Sequence, residues 1–369
     1  MGRETDVFVI GGGPAGLAAA LAVRKKGFRV MVADGAKPPI EKACGEGLMP
    51  DALEALRELG VVIQLSDGYA FRGLRCMDES STVDADFPNG MGVGLRRPAL
   101  HQKMIDQAGA CGVSLMWEKP VIALRGEEVE LACGEKIRAK WIIGADGSAS
   151  RVRKWSGLEG YEQLDSRFAF RRHYHVKPWT DRVEIHWGES MEAYVTPVGA
   201  EEVCVVVMSQ RQNGRVDETL REFPALAESL RGVAPASAER GGVTLTHRLE
   251  RVHRDNVALV GDASGSVDVI TGEGLRLSFH QAKALAEALE HGDLDRYQRA
   301  HRQLGRRPSL MGQFMMLLDR QPNLRRRALR AFKDDQGLFA RVISVHVGGT
   351  SAMHMATTGA YFSWKFLWA

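Results

Sequence analysis

The chain has 369 residues, 44% of them hydrophobic and 26% charged, and carries a net charge of +3. This is the balance of a globular protein long enough for two joined domains, and the charge is too small for a nucleic-acid partner to be expected. The five cysteines, at positions 44, 76, 111, 133 and 204, show no paired spacing, so neither a disulfide framework nor a metal centre is expected.

Taken from the start, Met1-Gly2 matches an acylation signal only in its glycine, because position 6 is Asp. No charged leader with a long apolar stretch follows, and a cytoplasmic setting is expected. Asp6–Ile10 reads as a buried strand, Pro14–Lys26 as an alanine-rich helix stopping at Gly27, and Phe28–Ala33 as a second strand. Residues 51–60 read as a short helix, 70–93 as antiparallel strands and Leu100–Gly112 as a helix. Glu127–Ala132 and Arg138–Ile143 read as strands, and so do Phe168–Val176, Val183–Trp187, Ala193–Thr196 and Val203–Met208. Residues 215–232 look helical, Val257–Val260 is a buried strand, Gly274–His291 a long helix, and Leu294–Ala340 a helical, basic stretch. The fold class is α/β, a doubly wound Rossmann-like domain with an antiparallel substrate sheet inserted and a helical C-terminus. The expected division gives residues 1–70, 94–160 and 245–300 to a nucleotide domain, 71–93 and 161–244 to a substrate domain, and 301–369 to the helical region.

Three loops carry chemistry. Gly11-Gly12-Gly13-Pro14-Ala15-Gly16 satisfies G-x-G-x-x-G between a strand and a helix. Gly11 permits the turn, Gly13 lets backbone approach a pyrophosphate, and Gly16 allows close packing. Asp34 ends the next strand, where it can accept from a ribose hydroxyl. Asp146 and Gly147 follow an apolar strand in Gly-Ala-Asp-Gly-Ser-Ala-Ser-Arg. Gly261-Asp262-Ala263 follows another, and Thr271-Gly272-Glu273-Gly274-Leu275 then opens a helix whose N-terminus faces a ligand.

These three blocks, in this order, resemble the FAD-dependent hydroxylases related to p-hydroxybenzoate hydroxylase, over roughly residues 1–290. Lys42-Ala-Cys44-Gly45-Glu46-Gly47-Leu48-Met-Pro50 is similar to a segment of the geranylgeranyl reductase family, as is the Gly272-Glu273-Gly274 loop. The resemblance implies FAD, with its ring near Cys44–Gly47 and Gly272–Leu275. It makes Cys44, Glu46 and Glu273 the flavin-proximal candidates for catalysis, places Gly45 against the ring and Arg97 near the cofactor, and puts the backbone at Val121 against adenine. NAD(P)H would be a transient reductant, since no second nucleotide fingerprint is present. The sequence departs from the reductases at Ala193-Tyr194-Val-Thr-Pro197, which lacks their Trp and Phe, and from the halogenases, whose Trp-x-Trp-x-Ile-Pro block is absent.

His173 and His175 alternate along a strand and, with Tyr194 and Pro197, are the candidates for lining a substrate pocket. The apolar, aromatic tail Tyr361–Ala369 either closes over the protein's own core or touches a membrane face. The expected function is an FAD-dependent monooxygenase hydroxylating a phenolic or polyketide-like small molecule. The alternatives are reduction of isoprenoid double bonds and, from another class, a flavin-binding protein without turnover. Oligomeric state is left open.

Overall fold

A computed structural model describes residues 3–189, 191–210, 215–347 and 352–368. Met1-Gly2 and Ala369, named above, lie outside them.

Val7, Phe8 and Val9 have no exposed surface, and Arg3–Ile10 is the middle strand of the first sheet. Such an unbroken apolar run suits a parallel strand covered on both faces. It pairs in parallel with Val30–Ala33 and with Lys136–Gly144, and the latter pairs in parallel with Val257–Leu259. The register sets Ile10 beside Ala33 and Gly144, and Gly144 beside Leu259, so the carboxyl ends of four strands form one level row. All three glycine-bearing loops leave from that row, where ligands of open α/β sheets bind. The helices Pro14–Lys25 and Gly274–Glu290 pack together behind it.

The second sheet has eight strands, with Tyr161–Tyr174, Glu202–Ser209 and Met191–Gly199 side by side at its middle. All its pairs are antiparallel except Arg182–Trp187 beside Gly73–Met77. Strand alternation splits it cleanly. Val203, Val205 and Val207 face a small cluster with Phe223 and Leu226, whereas Cys204, Val206 and Met208 face the core shared with the C-terminal helices.

Several expectations need correction. Residues 215–232 form three short helical pieces, because Pro224 restarts the helix after Glu222. The stretch 294–340 is three helices, Leu294–Arg320, Pro322–Asp334 and Gln336–Val347, broken before Pro322 and at Asp335. Arg97 is the first residue of its helix rather than a residue before it. Arg240–Leu249, which sequence periodicity did not mark, is one continuous strand of the second sheet and crosses the expected boundary at residue 244. The tail is a helix, Ala352–Trp368, whose Phe362 and Phe366 pack against the second core.

Candidate cofactor cleft and substrate chamber

The glycines of the first loop do different things. Gly11 has φ +111°, and a Cβ there would lie 2.3 Å from the Ala145 carbonyl oxygen. A Cβ on Gly16 would lie 1.9 Å from the Gly11 carbonyl oxygen, so this position lets helix meet strand. Gly13 has nothing within 4 Å of such an atom, although it borders the cleft. Its missing side chain leaves room for something other than protein. Gly45, Gly147 and Gly274 border the same cleft with equally open space, and Pro14, Ala15, Val121 and Leu275 complete this part of the wall.

The acids are more structural than their positions suggest. Asp34 accepts from the Gly12 N–H at 2.7 Å and the Ala36 N–H at 2.8 Å, so it shapes the glycine turn while bordering the cleft. Asp146 is a helix cap: Oδ2 accepts from the Arg151 and Val152 N–H groups at 2.7 and 3.1 Å, and Oδ1 from the Ser150 hydroxyl at 2.5 Å. Asp262 is half-exposed and pairs with Lys42 at 2.8 Å across the cleft mouth. Arg97 borders the cleft with a buried Nε that has no hydrogen-bond partner.

Cys44 and Gly45 reach the cleft in a loop that Glu46 anchors from behind. Glu46 is 2% exposed and has φ +61°. One carboxylate oxygen accepts from the Arg97 N–H at 3.0 Å, and the other meets His173 Nε2 at 2.6 Å. His173 Nδ1 receives Arg171 at 2.7 Å, and Arg171 pairs with Glu41 at 2.7 Å, where burial of the guanidinium is offset by the carboxylates around it. His173 is therefore wholly buried behind the loop rather than on a substrate wall. Glu46, His173 and Cys204 offer ligand atoms within 4.8 Å of one another. Yet the guanidinium donating to Nδ1 leaves the imidazole proton on Nε2, pointing at Glu46, and this spends the metal-facing nitrogen on a hydrogen bond.

Glu273 is 1% exposed and turns away from the cleft to Arg276, at 2.8 Å. Next to it, burial raises the Asp51 carboxyl to about 6. Gly272, with φ +67°, and Gly274 carry the backbone of that loop along the cleft wall. His346, from a C-terminal helix, sits 3.1 Å from the Thr271 carbonyl.

Beyond the loops the cleft opens into a chamber, about 660 Å³ for the continuous cavity. Leu74, Ile185, Trp187, Val206 and Met208 line it from the second sheet, Phe71 from a short three-stranded sheet, and Met311, Phe314, Met315, Leu318, Phe339 and Ile343 from the helices. Tyr194 lines it as expected. Pro197 does not; its carbonyl oxygen closes against Gly94. His175 lies past the end of its strand and is exposed.

Among known proteins, a family model described as an FAD binding domain matches residues 4–303. The chain belongs to that family. The expected superfamily and cofactor are thereby borne out, and the protein is an FAD-dependent oxidoreductase. It is 28% identical to menaquinone reductase of Mycobacterium tuberculosis over 79% of this chain and 78% of that one. It is 29% identical to digeranylgeranylglycerophospholipid reductase 1 of Methanopyrus kandleri, over 80% and 85%. It is 26% identical to rifampicin monooxygenase of Streptomyces venezuelae, over 75% and 62%. In fold it is similar to a flavin-dependent brominase, with a TM-score of 0.80 at 17% identity over 97% and 99% of the two chains.

The residues present fit FAD. The open faces of Gly13, Gly45, Gly147 and Gly274 would accept backbone-hugging phosphates and ring, and the orphaned Arg97 Nε would find an acceptor. Two residues that motif reading missed brace the loops along this cleft. His101 is wholly buried, accepts from the Ile40 N–H at 2.9 Å and donates from Nε2 to the Gly12 carbonyl at 2.7 Å; burial keeps it neutral. His301, lowered to about 4 by burial, meets Ser264 at 2.9 Å and Gln281 at 3.0 Å, and Gln281 accepts from the Gly261 N–H at 2.8 Å. A lone histidine on a helix gives no sequence signal for such a role. The apolar i, i+3, i+4, i+7 stripe Met311–Phe314–Met315–Leu318 does give one, and it marks the chamber wall.

Proposed function

We propose that this protein performs FAD-dependent chemistry on an electron-rich ring or double bond of an extended, apolar small molecule of the polyketide or isoprenoid kind. In the first reading it is a monooxygenase that draws its electrons from NADH or NADPH. One observation carries the reading: among the described lining residues from the second sheet and the C-terminal helices, none is Lys, Arg, Asp or Glu. A substrate held there gains affinity from apolar area and shape rather than from ion pairs. FAD, when bound, supplies the two-electron redox chemistry. The chain's own part is to bring backbone at Gly45 and Gly274 close to the cofactor, to exclude water with Phe71, Trp187 and Phe339, and to present the Tyr194 hydroxyl.

The second reading is reduction of an isoprenoid double bond. It is favoured by the relatives that are reductases, which align with this chain over about four fifths of its length. One experiment separates the two. Lipid and polyketide extracts are incubated with holoprotein and NAD(P)H, with and without oxygen, and compared by mass. A product heavier by one oxygen, formed only aerobically, supports oxygenation. A product heavier by two hydrogens, formed without oxygen, replaces the first reading by the second.

No helix among the described residues is long and apolar enough to cross a membrane. We place the protein in the cytoplasm, touching a membrane face through its last helix, where Met353 and Trp364 are 77% and 56% exposed beside Lys365. Cell fractionation should recover it with membranes at low salt and free of them at high salt; recovery outside the cytoplasmic compartment, or indifference to salt, rejects this placement.

A further inference from the structure

Behind the chamber wall lies an acid that the reading above does not use. Glu192 shares a strand face with Tyr194 and is wholly buried. Its Oε2 is 3.3 Å from the Tyr194 hydroxyl, and its Oε1 accepts from Trp187 Nε1 at 3.3 Å and lies 3.7 Å from Arg167. Arg167, 2% exposed, also pairs with Asp268 at 3.4 Å and with Asp319 at 2.9 Å. Asp319 comes from the long helix Leu294–Arg320 and shares Arg167 with Glu192. Arg325, from the next helix and 4% exposed, faces Asp78 first and then Asp319 and Glu192, and the Cys76 thiol, pushed up to about 12 by burial, faces Glu192 from Gly73–Met77, two strands away in the sheet.

Arg167 lies within 4 Å of three carboxylates, Asp268, Asp319 and Glu192, and is the one guanidinium in ion-pair contact with them among the described residues, so the cluster holds more acid than base and favours a proton on one of the acids. Burial first, and then the Asp319 charge, raise Glu192 well above the usual carboxylate range, which assigns the proton to it. Tyr194, kept protonated by burial, donates forward to the Ile270 carbonyl at 3.0 Å and lines the chamber. A phenol has one proton to give and can accept another. The phenol bridges Glu192 Oε2 and the Ile270 carbonyl with its one proton, so a proton on Glu192 can pass to the phenol oxygen only as the phenol's own proton leaves it.

Either reaction consumes one proton. Saturating a double bond would need a proton on one carbon beside the hydride that bound FAD would supply to the other. Monooxygenation takes O2, the hydride and a proton, puts one oxygen on the substrate and releases the other as water. We propose that Asp319, Glu192 and Tyr194 form a proton line into the chamber, in which Tyr194 hands its hydroxyl proton to the reactants, Glu192 restores it, and Asp319 recharges Glu192 from its 9% exposed side chain. It rests on the chamber being the reaction site. Tyr194 is the catalytic residue of the line, and the two acids act through it.

Infrared spectroscopy tests the line without a substrate, and so apart from the product assay above. The expected spectrum contains a protonated-carboxyl band that shifts in D2O and is lost in Glu192→Gln. Asp319→Asn should slow that shift. Reducing FAD in the holoprotein with dithionite should perturb the band, and Tyr194→Phe should remove the response while FAD stays bound. A role confined to stability would leave exchange and redox response alike in the variants. The proposal is overturned if no such band depends on Glu192, if Asp319→Asn exchanges at the parent's rate, or if FAD reduction leaves the band unmoved.

Discussion

Gly13→Val should yield folded, colourless protein. The substitution adds atoms into open space: no protein atom lies within 4 Å of the new Cβ, and Gly13 lacks the positive φ that makes Gly11 irreplaceable. The chain itself has no reason to rearrange, and far-ultraviolet circular dichroism and melting of the FAD-free protein should match the parent. The cofactor does have a reason. An isopropyl group now stands where backbone would approach the pyrophosphate, and the N–H groups of the helix N-terminus can no longer be reached. We expect FAD affinity to fall by at least about 100-fold, ~2.7 kcal/mol, read by fluorescence titration. Gly16→Val is the contrasting control, because its Cβ would collide with the Gly11 carbonyl and the fold itself should suffer. Normal FAD binding by Gly13→Val would move the site elsewhere.

Glu46→Ala should be strongly destabilising. It leaves His173 and Arg171 facing each other, both without exposed surface, after losing the carboxylate between them and the Arg97 N–H. Breaking one partner out of such a buried network costs about 3–5 kcal/mol, measured by urea unfolding. Glu46→Gly should recover about 1 kcal/mol of this, because φ +61° is strained for any side chain. Glu46→Gln keeps the shape and should fall between parent and Ala. Since the same residue sets the loop that carries Cys44 and Gly45 to the cleft, weaker FAD binding should accompany the loss of stability. If Glu46→Ala melts with the parent, the network is ornamental.

These two residues show what could be read from the sequence and what could not. Gly13 was legible because a strand, a turn and a helix lie within a few residues of each other, and local geometry dictates the function of each glycine. Cys44, Gly45 and the Gly272–Leu275 loop were placed by family resemblance, and they do border the cleft. Glu46 was picked out by its loop, but its partner His173 lies 127 residues away and meets it only because the second sheet is folded over the first. His173 therefore looked like a substrate residue when it is a brace. Asp146 was legible as a turn residue, yet its carboxylate caps a helix, since Ser150 and Arg151 follow at capping distance. Glu192, Asp319, His101 and His301 were invisible for one shared reason: each meets its partner only through tertiary packing, which spacing along the chain does not reveal.

The C-terminal helices have a consequence beyond shelter. They reach both loops that flank the cofactor cleft, through His301 at Ser264 and Gln281 and through His346 at Thr271, and the same helices form the wall over the substrate. The chamber wall and the loops beside the cleft are thereby tied into one packed unit, so a substitution that loosens His301 or His346 should be felt at both.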